Sequence, residues 1–234
     1  MTSAILHLIL AGMMTIGAVF IYFKYYLLKK NLGNEEILLI YIFWFYVFFI
    51  GYHLSLSLPL YLFNKPEMLA WGYNLAIIFM FLFEIPMWLL YFKITNARQN
   101  VKKITIAIFS LMGLIVTIIQ SMDLNLPIID SSGLIIWNNN LIAGWITFIS
   151  IAILPVVFSK FMIKNLPKNI DFISSLKSYT ISFGSILFAL ACSYFIATTV
   201  TRVIIAFILV YLATFFFSLT FFLPNPQIQK NKNI

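Results

Sequence analysis

Seven apolar runs of about 20 residues, separated by short stretches that hold nearly all of the charge, constrain this chain more than any other feature. In hydrocarbon every backbone N–H and C=O has to be satisfied within its own segment, so such runs form helices. A helix needs roughly 20 residues to cross about 30 Å at 1.5 Å per residue. The spacing predicts an all-α integral membrane protein, a seven-transmembrane-helix bundle with spans at about 4–28, 36–63, 68–92, 104–120, 138–158, 178–199 and 202–223. One membrane domain, 1–223, is then followed by a short basic tail, 224–234. Of the 234 residues 62% are hydrophobic and 9% charged, against about 25% charged in an ordinary soluble domain, which leaves no room for a fused kinase, nucleotide-binding or protease domain.

The positions of Lys and Arg set the expected orientation. With the N-terminus outside, Lys24, Lys29, Lys30, Lys93, Arg98, Lys102, Lys103, Lys160, Lys164, Lys168, Lys177, Lys230 and Lys232 fall on the cytoplasmic side, and only Lys65 and Arg202 of the 15 basic residues fall outside. An odd number of spans agrees, giving a cytoplasmic C-terminus in a multi-pass protein of the plasma membrane. The net charge of +8 is then topology and contact with anionic headgroups, so the bilayer is the expected partner and nucleic acid is not. The first run carries its positive charges after it, which reads as a retained helix and not as a signal peptide. Cys192 is the single cysteine and forms no intramolecular disulfide. The stretch from Ser159 to Lys177, with its breaker cluster Asn165, Leu166, Pro167, Lys168 and Asn169, is the longest cytoplasmic connection and could dock a protein partner.

An ionisable group inside a span costs roughly 2.5 to 3.5 kcal/mol on insertion scales, so it marks a functional candidate. Only one acid qualifies. Glu84 lies nine residues before Lys93, about 13 Å from the cytoplasmic end of the third span. Pro86 follows two positions later, cannot donate to the carbonyl of Leu82, and is the expected hinge. Helical spacing puts Tyr73, Ile77, Glu84, Trp88 and Tyr91 on one face, expected to point into the bundle. His53, near the middle of the adjacent second span, is a candidate partner for Glu84, although Tyr46 matches its depth better; His7, near the outer end of the first span, is expected to matter less. Helix six carries Ser185, Ala189, Ser193 and Ala197 at intervals of four, a small-residue stripe that suits close helix packing. Ser182, Tyr194, Thr198, Thr214 and Ser218 could line a polar cavity, but such hydroxyls often bond back to their own helix.

Between spans four and five, two β-prone runs flank the turn-forming tetrad Asp130, Ser131, Ser132, Gly133. This predicts an outer hairpin at about 126–137. Asp130, Gly133 and Trp137 then belong either to a lid over a cavity or to an interfacial loop with Trp137 in the aromatic belt.

Span seven has no lysine for a retinal Schiff base, and there is no HExxH, GxSxG, phosphate-cradling glycine loop or CxxC, so no catalytic residue, metal or cofactor is assigned. Two histidines well apart in sequence are few ligands for haem. The topology is that of G-protein-coupled receptors, but Tyr91, Phe92 and Lys93 stand where the basic tripeptide of that family would end helix three, and the NPxxY-type end of helix seven is absent. PQ-loop sugar transporters share the size, yet Pro59, Pro86 and Pro155 do not repeat between two halves. The length, the run Trp88, Leu89, Leu90, Tyr91, Phe92 closing helix three, and the outer loop Asp130 to Trp137 make the layout similar to the N-terminal seven-helix sensing region of histidine kinases. That resemblance implies a receptor or sensor module for a small or lipophilic ligand. The family continues into cytoplasmic signalling domains, whereas this sequence stops at Ile234, so output is expected to pass through a separate partner. The alternatives are a small secondary transporter coupled to protons through Glu84 and a noncatalytic subunit of a membrane complex.

Overall fold

The structure, a computed structural model, describes residues 2–28, 35–63, 65–122, 125–166 and 171–222. Within them the chain forms α1 (Thr2–Leu28), α2 (Glu35–Phe63), α3 (Pro66–Ile94), α4 (Gln99–Met122), the strands β1 (Ile128–Ile129) and β2 (Ile135–Ile136), α5 (Leu141–Lys164), α6 (Phe172–Ala191), a 3-10 turn (Cys192–Ile196) and α7 (Val200–Phe222). All seven α-helices are long and apolar enough to cross a membrane, α6 together with its 3-10 turn. Consecutive helices pack as neighbours, α1 also touches α7, and α3 reaches across to α5. The tail, 224–234, and the loop residues Lys29, Lys30, Pro167, Lys168 and Asn169 lie outside the described residues.

The exterior is what hydrocarbon would favour. Ile16, Leu111 and Phe215 are each more than half exposed, while Ser, Thr, Asn, His and Glu side chains occur among the buried residues. Most buried hydroxyls return a hydrogen bond to the carbonyl four residues back, as Thr147 does to Ala143 at 2.8 Å and Thr214 to Val210 at 2.8 Å. Ser182 is different: it reaches across from α6 to the carbonyl of Ser159 on α5 at 3.4 Å.

Local chemistry fixes the helix ends. Pro66 opens α3, where a missing N–H costs nothing. Asn140 caps α5 by accepting from the amides of Ile142 and Ala143, and Asp171 caps α6 through Ser174. Helix five differs from the sequence expectation, running from Leu141 through Lys164 to a cap at Asn165; helix four starts at Gln99, one turn earlier than its apolar run. Helix six stops at Ala191 instead of continuing to Thr199, so the small-residue stripe is broken before Ser193.

Prolines and glycines seat the central pair of helices. Pro59 cannot donate to the carbonyl of Ser55, and Gly72 of α3 sits against that freed oxygen; a Cβ there would stand 2.5 Å from it and 2.6 Å from the Pro59 ring. Pro86 lies within α3, which continues as helix on both sides of it.

The strands pair antiparallel, Ile128 with Ile136 and Ile129 with Ile135. The Asp130 carboxylate organises the turn, accepting from the Ser132 hydroxyl at 2.6 Å, the Ser132 amide at 3.0 Å and the Leu134 amide at 2.9 Å. Gly133 supplies the left-handed residue, φ 77°, that closes it. The hairpin is tied to the start of α1: Ser3 donates its amide to the Gly133 carbonyl at 3.2 Å, and its hydroxyl accepts from the Ile135 amide at 2.9 Å.

Candidate functional site

Below the hairpin a cavity opens among α1, α2, α3, α6, α7 and the 3-10 turn, with no wall residue from α4 or α5. Its wall is largely apolar, with Leu10, Phe49, Met80, Phe188, Phe207 and Val210 among its residues, and it carries His7, Tyr52, His53, Cys192 and Tyr194. The centres of water-sized spheres can occupy about 40 Å³ of it. One water needs about 10 to 15 Å³ on that measure, so the space suits about three waters or one small molecule.

The polar groups on this wall are joined. His7 Nδ1 and His53 Nδ1 are 2.9 Å apart, and His7 Nε2 is 3.4 Å from the Tyr194 hydroxyl, which also accepts a hydrogen bond from the Trp137 indole N–H. Trp137 is buried and stacks on Tyr73, ring centroids 4.7 Å apart. Trp137 thus points into the bundle, with its ring on Tyr73 and its N–H on Tyr194. Leu134 and Ile135 are buried with it, so one strand of the hairpin plugs the bundle while Ile128 and Ile129 stay exposed.

The 3-10 turn delivers Tyr194. Tightening after Ala191 rotates Tyr194 and Phe195 inward, and both are buried. The carbonyl of Phe195 accepts from Asn139 Nδ2 at 2.8 Å, and Gly144 of α5 lies so close that a Cβ would meet that oxygen at 2.7 Å. Tyr194 is thus held from the hairpin side and from α5.

Sequence reasoning offered His53 as a candidate partner for Glu84, with Tyr46 the better match in depth, and gave His7 less weight. In the structure the hydrogen-bond partner of His53 is His7, 46 residues away, with the two rings in direct contact. The facing Nδ1 atoms are at hydrogen-bond distance, 2.9 Å. Among the described residues there is no cluster of three or more His, Cys, Asp or Glu. Tyr46, the other candidate on α2, meets the first helix. It packs on α1 against Gly17, where a Cβ would lie 2.8 Å from its ring.

Glu84 is buried, 1% exposed, and its Oε2 has no hydrogen-bond partner. It sits one turn beyond the wall residue Met80 on α3 and within electrostatic reach of Cys192. Tyr73, Ile77 and Trp88 are buried on the same helix and Tyr91 is half-buried. The structure does not gather them into one site. Tyr73 belongs with Trp137, whereas Trp88 packs with Phe92 and Phe109 toward the other end, its indole N–H unpartnered, and Tyr91 meets Phe161. A smaller polar pocket lies beside Tyr73 between Asn74, Gln120, Asn125 and Asn139.

The chain matches no protein-family model, no curated protein and no solved structure.

Proposed function

We propose that this is a multi-pass integral membrane receptor or sensor module, N-terminus outside and C-terminus cytoplasmic in the plasma membrane, that binds a small apolar ligand beneath the hairpin and passes the change to a separate partner. The carrying observation is the cavity beneath the hairpin, whose largely apolar wall carries His7, Tyr52, His53, Cys192 and Tyr194. The wall is built from both ends of the chain and includes Met80 on the helix that holds Pro86. A ligand that moved α3 there would act on a helix already lacking one internal hydrogen bond. The similarity of the layout to histidine-kinase sensing regions supports the same reading, with the partner docking near the connection between α5 and α6.

Hydrogen–deuterium exchange on the full chain in nanodiscs tests this. A small apolar probe, 2-butanone, should slow exchange in the hairpin, residues 132–135, and alter it at the far end of α5, residues 160–165. Unchanged exchange at both places under saturating probe would sink the sensor reading.

A second reading, a proton-coupled carrier, is favoured by one observation: a fully buried carboxylate oxygen on Glu84 without a partner. Liposomes under an imposed pH gradient should then show solute flux that Glu84→Gln abolishes. Folded protein that carries none of the tested solutes would count against it.

A further inference from the structure

We infer that the cavity takes a small molecule with no hydrogen-bonding group at all, a nonpolar gas or a hydrocarbon of up to about four carbons, and keeps water out; this rests on the ligand-binding reading above and narrows its ligand.

The polar groups of the wall are engaged within the protein. His7 has both ring nitrogens in contact, Nδ1 with His53 Nδ1 at 2.9 Å and Nε2 with the Tyr194 hydroxyl at 3.4 Å. The Tyr194 oxygen also accepts from the Trp137 indole N–H, and the Cys192 thiol is turned to the Phe188 carbonyl at 3.2 Å. His53 Nε2 has no partner, but it is packed over so closely that a water-sized sphere does not reach it. Phe49 lies edge-on against the His53 ring, centroids 4.6 Å apart, and stacks on Tyr52 at 5.8 Å. What the wall turns to the space is almost wholly apolar.

Water is a poor occupant of such a space. A buried water makes about three hydrogen bonds, and a cavity with the room but not the polar surface stays dry and admits apolar molecules instead. A ketone or an alcohol of the same size would give up its hydrogen bonds to water on entering and gain no equivalent. An ion would lose more, because no wall residue is Lys, Arg, Asp or Glu. The volume of about three waters sets the upper size, which admits a xenon atom or about three or four carbons.

Methionine methyl groups can read the occupant. Met80 is on the wall, whereas Met13 is exposed on the outside of α1. In the full chain in nanodiscs, labelled with 13C-methyl methionine, isobutene and xenon should each shift the Met80 methyl saturably. Met13 should shift only in proportion to the probe dissolved in the bilayer. Saturation by both probes supports a hydrocarbon ligand, and saturation by xenon alone supports a gas. Acetone has the shape of isobutene with an oxygen in place of one CH2 group. At equal concentration in water it should bind about a hundredfold more weakly, for one unpaired carbonyl and one lost carbon. Before any probe is added, cross-relaxation from water to the Met80 methyl should be absent. Ala206→Ile, which fills the space from α7, should abolish the saturable shift, and its retention would overturn the placement of the ligand here. If acetone binds within about fourfold of isobutene, the worth of the carbon alone, or if water reaches Met80, the ligand class is wrong and the binding cavity stands. If neither isobutene, xenon nor acetone saturates, both readings fall.

Discussion

At the scale of single residues, Tyr194 and Glu84 make opposite predictions. Tyr194→Phe leaves the Trp137 N–H and one His7 nitrogen buried without partners, so stability should fall by about 1–3 kcal/mol, read as thermal unfolding in nanodiscs together with altered Trp emission. Glu84→Met replaces a buried carboxyl whose Oε2 has no partner by an apolar side chain of similar size, and should raise stability by about 1 kcal/mol in the same assay. A drop on that substitution would mean that Glu84 is held by contacts the described residues do not show. Glu84 was legible in the sequence because it is the one acid inside a span, and its burial follows from the spacing of Tyr73, Ile77 and Trp88. His7 was not. Hydropathy and period give the depth and the helical face of a residue, but which faces meet across the bundle depends on how each helix is rotated, and the His7 and His53 pair joins helices through that rotation alone.

At the scale of elements, close backbone approach and turn chemistry carry the predictions. Gly72→Ala puts a methyl group onto the Ser55 carbonyl and the Pro59 ring, neither of which is a flexible side-chain end, and should destabilise the α2 and α3 pair by about 1–3 kcal/mol in thermal unfolding. The hairpin is expected to be pH-sensitive. The Ser132 hydroxyl, and with it the amides of Leu134, Ser132 and Gly133, hold the Asp130 carboxyl below its ordinary range. A carboxyl with a lowered folded value stabilises the turn at pH above the usual aspartate range, and that contribution is lost as pH falls through the lowered value. Protection factors of the 132–134 amides should therefore decline below about pH 4 in the wild type and should show no such step in Asp130→Asn. The turn residues announced this element, since Asp130 and Gly133 stand where a hairpin needs an acceptor and a left-handed residue. The tightening of helix six into a 3-10 turn had no such signal: Cys192 to Thr199 contains neither Gly nor Pro, and the change comes from Asn139 and Gly144, which lie on either side of the start of α5 and meet the Phe195 carbonyl.

For the whole molecule, the bias of basic residues predicts a direction of insertion that labelling can read. Cys192 is buried, so in a Cys192→Ser background Ser132→Cys should react with an impermeant maleimide in intact cells, while Gln99→Cys should react only after the membrane is opened. The reverse pattern would invert the topology. The seven helices were readable because length and apolarity alone decide them. Their closure into a ring was not, because it is written in contacts between distant parts of the chain. Ser3 binds the hairpin about 130 residues later, His7 meets Tyr194, and the Tyr211 hydroxyl donates to the Leu6 carbonyl at 2.9 Å. These bonds give the cavity a birth date. Helix α1 is made before the other six, yet its histidine has no tyrosine beside it until α6 and its 3-10 turn have followed. A chain stalled after five helices would carry both histidines and the hairpin but lack the Tyr194, Phe195 and Phe207 side of the wall. The cavity wall would then close only once α7 has followed, and that helix, which carries none of the candidate residues, would be the one that makes the pocket exist.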